Sequence, residues 1–422
     1  MTHHDKTGRK RPVILGYDAV SPLGTNLESQ WQHAAAEESG IGPLTRFPLS
    51  PNFPVKIAGQ VAHVDTTAYP FLASRDMALW TSPLFKHSML VVHRALLQSG
   101  IEITPDLAPR VAITFSSAVG GLDVLLRADR LLMTEGKLPH PFTNPNSCVS
   151  MVGGKISIMT GATGPLVSTI TACSTGCTSV IIGALLLEQD MADVAICGAA
   201  DFPLVEPIVA GFATMNGAYR PKEGQDTDNP AEASRPFSVN RRGFVVSEGA
   251  GCIILAKHDF AKTHGLTPAI ELAGWAMTGD AHHFVAPNLD TIHRTIDKSI
   301  AGAGLAPSAI DAVNAHGTST KIGDKVEWEA LRNTFGANIP PVSANKSQIG
   351  HAMGASSALE IILAMEGMQK GYILPTINYK EDPELPLDCV SEGTRPLSQE
   401  YVLKNSFGFG GCNACVVLHR IH

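Results

Sequence analysis

The chain has 422 residues, of which 44% are hydrophobic and 17% charged, with a formal net charge of -7; this is enough to bury a large core spread over two or three structural units. Beyond the short stretch 6–11 there is no Lys/Arg block, which excludes a nucleic-acid binder, and no run reaches the roughly 18 consecutive apolar residues of a membrane span. With no apolar leader segment near its start and eight dispersed cysteines, the chain reads as a cytoplasmic protein whose cysteines are thiols, not a disulfide framework.

Residues 12–16 predict a first strand, and Ser21-Pro22-Leu23-Gly24 a turn into a helix at 27–36. Met89, Val92, Ala95 and Leu96 recur at helical spacing and predict a helix over 86–99. A strand at 110–115 runs into the small residues 116–121, which allow close backbone approach. Residues 166–171 alternate and are rich in β-branched side chains, so they predict a short strand, whereas 179–187 is apolar on every side, as in a helix wrapped in protein. Cys173 falls at the turn between them. The unpaired N–H groups and partial positive charge of a helix start favour a thiolate there and can hold an oxyanion, although an inert buried cysteine gives the same local sequence. A buried strand at 193–198, a polar loop at 220–236, a strand pair over 243–256, a helix at 291–303, strands at 309–315 and 341–344, a helix at 352–369, and strands at 401–406 and 414–418 complete an alternating α/β pattern.

Two further stretches bear on Cys173. His316 directly follows a strand and precedes Gly317 and three hydroxyl residues; His351 sits between Gly350 and a helix. A histidine near a turn is commonly a surface residue, but one thiol with two loop histidines fits nucleophilic catalysis with paired donors and needs no metal. His282-His283 has no carboxylate or cysteine at ligand spacing. Cys412-Asn413-Ala414-Cys415, outside a thioredoxin-like context, reads as two packed thiols on a strand.

Four stretches, 171–176 (Thr-Ala-Cys-Ser-Thr-Gly), 314–320 (Asn-Ala-His-Gly-Thr-Ser-Thr), 346–351 (Lys-Ser-Gln-Ile-Gly-His) and 405–411 (Asn-Ser-Phe-Gly-Phe-Gly-Gly), resemble in this order the motifs of the β-ketoacyl-acyl carrier protein synthases. The resemblance spans nearly the whole chain and is closest to the elongating synthases of type II fatty acid synthesis and the ketosynthase subunits of type II polyketide systems. It implies an α/β thiolase fold, two similar halves in a five-layered αβαβα sandwich, with 1–260 carrying the nucleophile and 261–422 the two catalytic histidines. It implies that Cys173 accepts the acyl group, that His316 and His351 are catalytic with Lys346 beside them, and that Asp324 and Glu360 are supporting carboxylates, Glu360 pairing with Lys346. Phe409 matches a gating residue whose backbone N–H forms the oxyanion hole with that of Cys173. Thr318 and Thr320 match contacts to the extender unit or pantetheine arm, and Phe212 and Val119 match the acyl tunnel. Phe407, together with Asp280 on a mobile loop facing the gate, completes the substrate-binding set. Loop hydroxyls can equally cap local turns, and a tunnel wall is also core. A fixed cation near both imidazoles disfavours their protonation, so that they can donate N–H bonds to an enolate.

The implied reaction is decarboxylative Claisen condensation of acyl-Cys173 with malonyl-acyl carrier protein, extending a fatty acyl or polyketide chain by two carbons. No resident cofactor is implied, because phosphopantetheine is carried by the acyl carrier protein. The implied assembly is a homodimer, or a heterodimer with a subunit like a chain-length factor. Three features depart from the fatty-acid pattern. The stretch 198–209 looks more like polyketide ketosynthase subunits, Ser247 stands where Gly or Ala is usual, and Trp80, Thr81 and Asn216 are uncharged where basic residues commonly meet the carrier. A thiolase using Cys412 as base and a non-catalytic chain-length subunit are the competing readings; the second lacks a nucleophile, and Cys173 is present.

Overall fold

A computed structural model of the chain describes residues 11–220 and 229–421. The basic stretch 6–11 is outside the described residues except for Arg11, and so is most of the first half of the 220–236 loop. The N-terminal strands are β1 (Pro12–Val20), β2 (Val111–Ile113), β3 (Val194–Asp201) and β4 (Gly249–Lys257), with helices α1 (Pro83–Ser99), α2 (Leu122–Glu135) and α3 (Thr175–Glu188) between them. The remaining main-sheet strands are β5 (Ile270–Gly279), β6 (Ala312–Asn314), β7 (Val342–Ser343), β8 (Tyr401–Gly408) and β9 (Cys412–Arg420). They alternate with α4 (Leu289–Gly302), α5 (Lys321–Phe335) and α6 (Met353–Lys370).

The strands run in the order β2-β3-β4-β1-β5-β9-β8-β6-β7, and only Val13↔Glu271 and Ile14↔Ile270 join β1 to β5. Read inward from either edge, the halves repeat one another. A parallel pair, β2 with β3 or β6 with β8, is followed by two antiparallel neighbours. In the second half β7 lies parallel outside β6, and in the first Leu166 makes a parallel bridge to Ile113 at the matching place. Helix α1 covers the outer face of the first set of strands, α4 and α5 the far side of the second, and α3 and α6 pack together between them. Five layers result, the thiolase fold. Because α3 touches protein on all sides, its faces carry no polar stripe; Gly176 permits the close approach to α6, since a Cβ there would lie 2.7 Å from the Ala358 backbone nitrogen.

The helices at 27–36, 86–99, 291–303 and 352–369 form within a few residues of those bounds. The strand expected at 166–171 does not form. Only 165–167 pair, with Ile113 at the end of β2, and Leu166, Val167 and Ile170 are 43%, 36% and 49% exposed, because β2 stops at Ile113 and among the described residues no strand covers the outer edge. The strand pair over 243–256 is instead one strand, β4; Phe244, Val246 and Ser247 make isolated bridges to Ala218, His351 and Gly59. Sequence reading does not single out β5, α2 or α5. Strand β5 carries two glycines and few β-branched residues, and α5 is too strongly charged to show a wide apolar stripe, whereas α2 does carry one in Val124, Ala128, Leu131 and Leu132. All eight cysteines are free.

Candidate active site

Residues 172–174 form one tight turn leading into α3, with Ala172 in the left-handed region at φ 50°, a conformation an L-residue adopts at a cost of about 1 kcal/mol. The turn places Cys173 Sγ 3.1 Å from His351 Nε2. His351 is held from three directions. Its N–H donates to Val245 O at 2.7 Å, its carbonyl accepts from buried Ser247 N at 2.9 Å, and its Nδ1 lies 2.9 Å from Ser356 Oγ. The backbone N–H groups of Phe409 and Cys173 both lie close enough to favour the anionic form of the sulfur. Gly408 permits this approach, because a Cβ there would lie 2.4 Å from Thr171 O and 3.2 Å from Cys173 N.

His316 leaves the end of β6, and its N–H and that of Gly317 each donate to one oxygen of Glu327 at 2.8 Å. Lys346 Nζ donates to His316 O at 2.7 Å and lies 3.4 Å from its Nδ1. The two imidazole rings stand 5.8 Å apart at 88°, and the Phe407 ring lies 5.6 Å from His316. Behind them Glu360 takes Lys346 Nζ on Oε1 at 2.5 Å, as the resemblance implies, and also Lys404 Nζ beside Oε2 at 2.8 Å. All three side chains are at most 1% exposed. Lys404 and Glu327 escape the sequence reading. The available signal for Lys404 is a charged residue inside an otherwise buried strand, a rare placement that demands a partner.

Burial, reinforced by the charge of Lys346 and more weakly by Lys404, holds both His316 and His351 well below the usual imidazole range, so both are neutral. Burial also pushes the Cys173 thiol up to about 11, against the opposing pull of Lys346 and the Phe409 N–H. This corrects the expectation that the helix start makes Cys173 a thiolate: desolvation of the anion outweighs what the turn and the cation return. The resting site is a thiol beside a neutral imidazole.

A cleft of 1340 Å³ opens over Cys173, His316 and His351, and its walls include Thr318, Thr320, Phe212, Phe407, Phe409 and Asp280. Val119 stands outside this lining; it packs with Leu204, Val209 and Met353, and its N–H donates to Asp201 at 2.9 Å. Asp280 faces the cleft, yet its carboxylate accepts from Asn413 Nδ2 at 2.6 Å, Asn288 N at 3.1 Å and Thr291 Oγ1, tying its loop to β9 and α4. Asp324, raised to about 6 by burial, accepts from Thr318 N at 3.0 Å and Phe237 N at 2.8 Å and supports the loop beyond His316. Thr320 both lines the cleft and caps α5, accepting from Gly323 N at 3.2 Å. Cys412 is not in the lining, so a second cysteine acting as base has no place beside the thiol. Basic residues do border the cleft, from Arg220, Arg242 and Lys321 instead of from 80–81 or 216. Among the described residues, no three His, Cys, Asp or Glu side chains converge as a metal site.

The family model described as the β-ketoacyl synthase N-terminal domain matches residues 10–261, and that of the C-terminal domain matches 269–380. The chain is 35% identical to the 3-oxoacyl-[acyl-carrier-protein] synthase 2 of Coxiella burnetii over 98% of its length and 99% of the relative's. It is 33% identical to the same-named protein of Vibrio harveyi over 98% of its length and 99% of the relative's. A β-ketoacyl synthase from Burkholderia phymatum superposes with a TM-score of 0.90 at 27% identity, covering 98% of this chain and 100% of the other. The ishigamide ketosynthase/chain length factor superposes with a TM-score of 0.88 at 28% identity, with the same coverage. Two matched domains, relatives aligned end to end and a thiol flanked by two neutral imidazoles lead to one assignment: the chain belongs to the β-ketoacyl synthase family.

Proposed function

We propose that the protein is a condensing enzyme that joins an acyl group carried on Cys173 to the decarboxylated unit of malonyl-acyl carrier protein. The observation that carries this reading is the Cys173 thiol 3.1 Å from one neutral imidazole, with a second imidazole at right angles to the first on the floor of the cleft. In the first half reaction Cys173 attacks the acyl thioester while its proton moves to His351 Nε2 and then to the departing pantetheine thiolate. The N–H groups of Phe409 and Cys173 hold the tetrahedral oxygen. In the second, the malonyl unit loses CO2, and the enolate oxygen accepts N–H bonds from His316 and His351. The enolate carbon then attacks the acyl-Cys173 carbonyl, releasing a β-ketoacyl product and the cysteine as a thiolate, which takes up a proton from solvent to restore the resting thiol. Lys346, donating toward His316 Nδ1, keeps that ring's proton on Nε2. Ser356 Oγ can donate to or accept from His351 Nδ1, so His351 can serve both half reactions.

The pantetheine arm arrives with the carrier, so the reaction requires no resident cofactor. The nucleophile belongs to the half 1–260 and the histidines to 261–422, and the protein works in the cytoplasm, where no helix among the described residues is long and apolar enough to cross a membrane. Leu131, Met133 and Leu138 on and beyond α2, and Leu166 and Ile170 elsewhere, are exposed apolar side chains, of the kind that a partner subunit covers. That partner is a second copy or a related chain-length subunit. The relatives at 33% and 35% identity are 3-oxoacyl-[acyl-carrier-protein] synthase 2 proteins and support the first choice; the 198–209 stretch and the likeness to the ishigamide ketosynthase/chain length factor support the alternative, in which this chain is the ketosynthase subunit of a type II polyketide system. Intact-mass analysis after incubation with acyl-acyl carrier protein tests the central claim. An acyl adduct is expected on the native protein and none on Cys173→Ala; an adduct persisting on the variant would overturn the assignment.

A further inference from the structure

We propose that Lys404 is a positioning residue of the condensing site, which clamps the His316 loop together with Lys346 and balances the buried charge beneath both imidazoles. The proposal rests on the condensing reading. Lys404 stands in β8 with its side chain fully buried, and its Nζ lies 2.8 Å from Glu360 Oε2 and 3.4 Å from Ala315 O, also donating to Asn405 O. Lys346 makes the companion set, 2.5 Å to Glu360 Oε1 and 2.7 Å to His316 O. Two successive carbonyls, Ala315 and His316, are thus each gripped by a different ammonium, and one carboxylate bridges the two. Lys346 alone would neutralise Glu360. A second fully buried lysine is costly unless another charge calls for it.

That other charge is Glu327, buried in α5 and bound to the N–H groups of His316 and Gly317. The charged and titratable groups facing His316 are Lys346, Lys404 from β8, Glu327 from α5, Glu360 from α6, and across the cleft His351 and Cys173. Asp324 is nearby, 3.9 Å from Arg241, which is itself paired with Asp382 at 2.6 Å. Formally Lys346 and Lys404 cancel Glu327 and Glu360. Without Lys404 the cluster holds a net negative charge directly behind the two imidazoles, which favours their protonated form and opposes an enolate in front of them. Lys404 acts through the histidines and touches no substrate.

The test uses decarboxylation of a malonyl-pantetheine thioester by Cys173→Gln, in which the imidazole pair works without the nucleophile, and compares it with the same protein carrying Lys404→Met or Lys404→Gln. At neutral pH kcat is expected to fall about tenfold with KM little changed, and the acidic limb of the pH profile to move up by about one unit. Adding Glu327→Gln to Lys404→Met should return the limb toward its starting position. A purely structural lysine would lower the melting temperature and leave the limb in place. That result, or loss of the fold in both Lys404 variants, overturns the proposal. If Cys173→Gln itself releases no CO2 above background, the condensing reading fails and this proposal with it.

Discussion

Removing Lys346 tests how the buried ion cluster shares its load. In Lys346→Met the Glu360 carboxylate loses a 2.5 Å contact but keeps Lys404 at 2.8 Å, and the His316 carbonyl loses a 2.7 Å donor. The two charged hydrogen bonds lost contribute about 1.5 to 3 kcal/mol each, whereas the further roughly 3 to 5 kcal/mol that follows when a buried charge is left with no partner is spared because Lys404 remains. The second figure should appear only in the double variant Lys346→Met/Lys404→Met, where Glu360 is stripped on both sides. A double-mutant cycle by urea denaturation therefore predicts a loss in the double variant exceeding the sum of the single losses by about 1 kcal/mol or more. Additive losses would mean that the two lysines do not share Glu360. A single Lys346→Met loss as large as that of the double variant would mean that Lys404 is no substitute.

Three other outcomes follow from the geometry. Because burial raises the Cys173 thiol to about 11, the thiol is protonated at neutral pH, and its alkylation by iodoacetamide should rise about tenfold per pH unit from pH 7 to 9; a rate that is flat over that range would refute the neutral resting thiol. Gly408→Ala puts a methyl 2.4 Å from Thr171 O, pushing the Phe409 N–H off the sulfur. Acylation should fall about 10²-fold with the histidine-dependent decarboxylation largely kept, and equal loss of both activities would contradict the assignment of that N–H to the oxyanion. For the assembly, native mass spectrometry of the protein alone is expected to show a dimer if a second copy covers Leu166 and Ile170. A stable homodimer that makes full-length product unaided rules out an obligate chain-length partner.

The four motifs identify the family because each is local: a nucleophile at a helix start, a histidine after a strand, a lysine and histidine around a glycine turn, and a glycine-rich strand end. Each is a run of adjacent residues, so the chain displays it without folding. The helices with wide apolar faces are readable for the same reason, as periodicity is a property of neighbours in sequence. The 166–171 segment shows where that ends, because a strand-like pattern becomes a strand only as far as its neighbour runs beside it, and β2 stops at Ile113. Lys404 and Glu327 show the same limit at the site. Nothing near Lys404 in sequence reveals that Glu360 is 44 residues away in the chain and 2.8 Å away in space. The charge state of Cys173 also belongs to the tertiary structure: the helix start that favours a thiolate is visible in the sequence, but the burial that overrides it comes from the packing of α3, α6 and the 405–411 turn around the sulfur. Chemistry carried by adjacent residues was determined by the sequence alone; electrostatics, which sum over everything within several ångströms regardless of chain distance, were decided only by the fold.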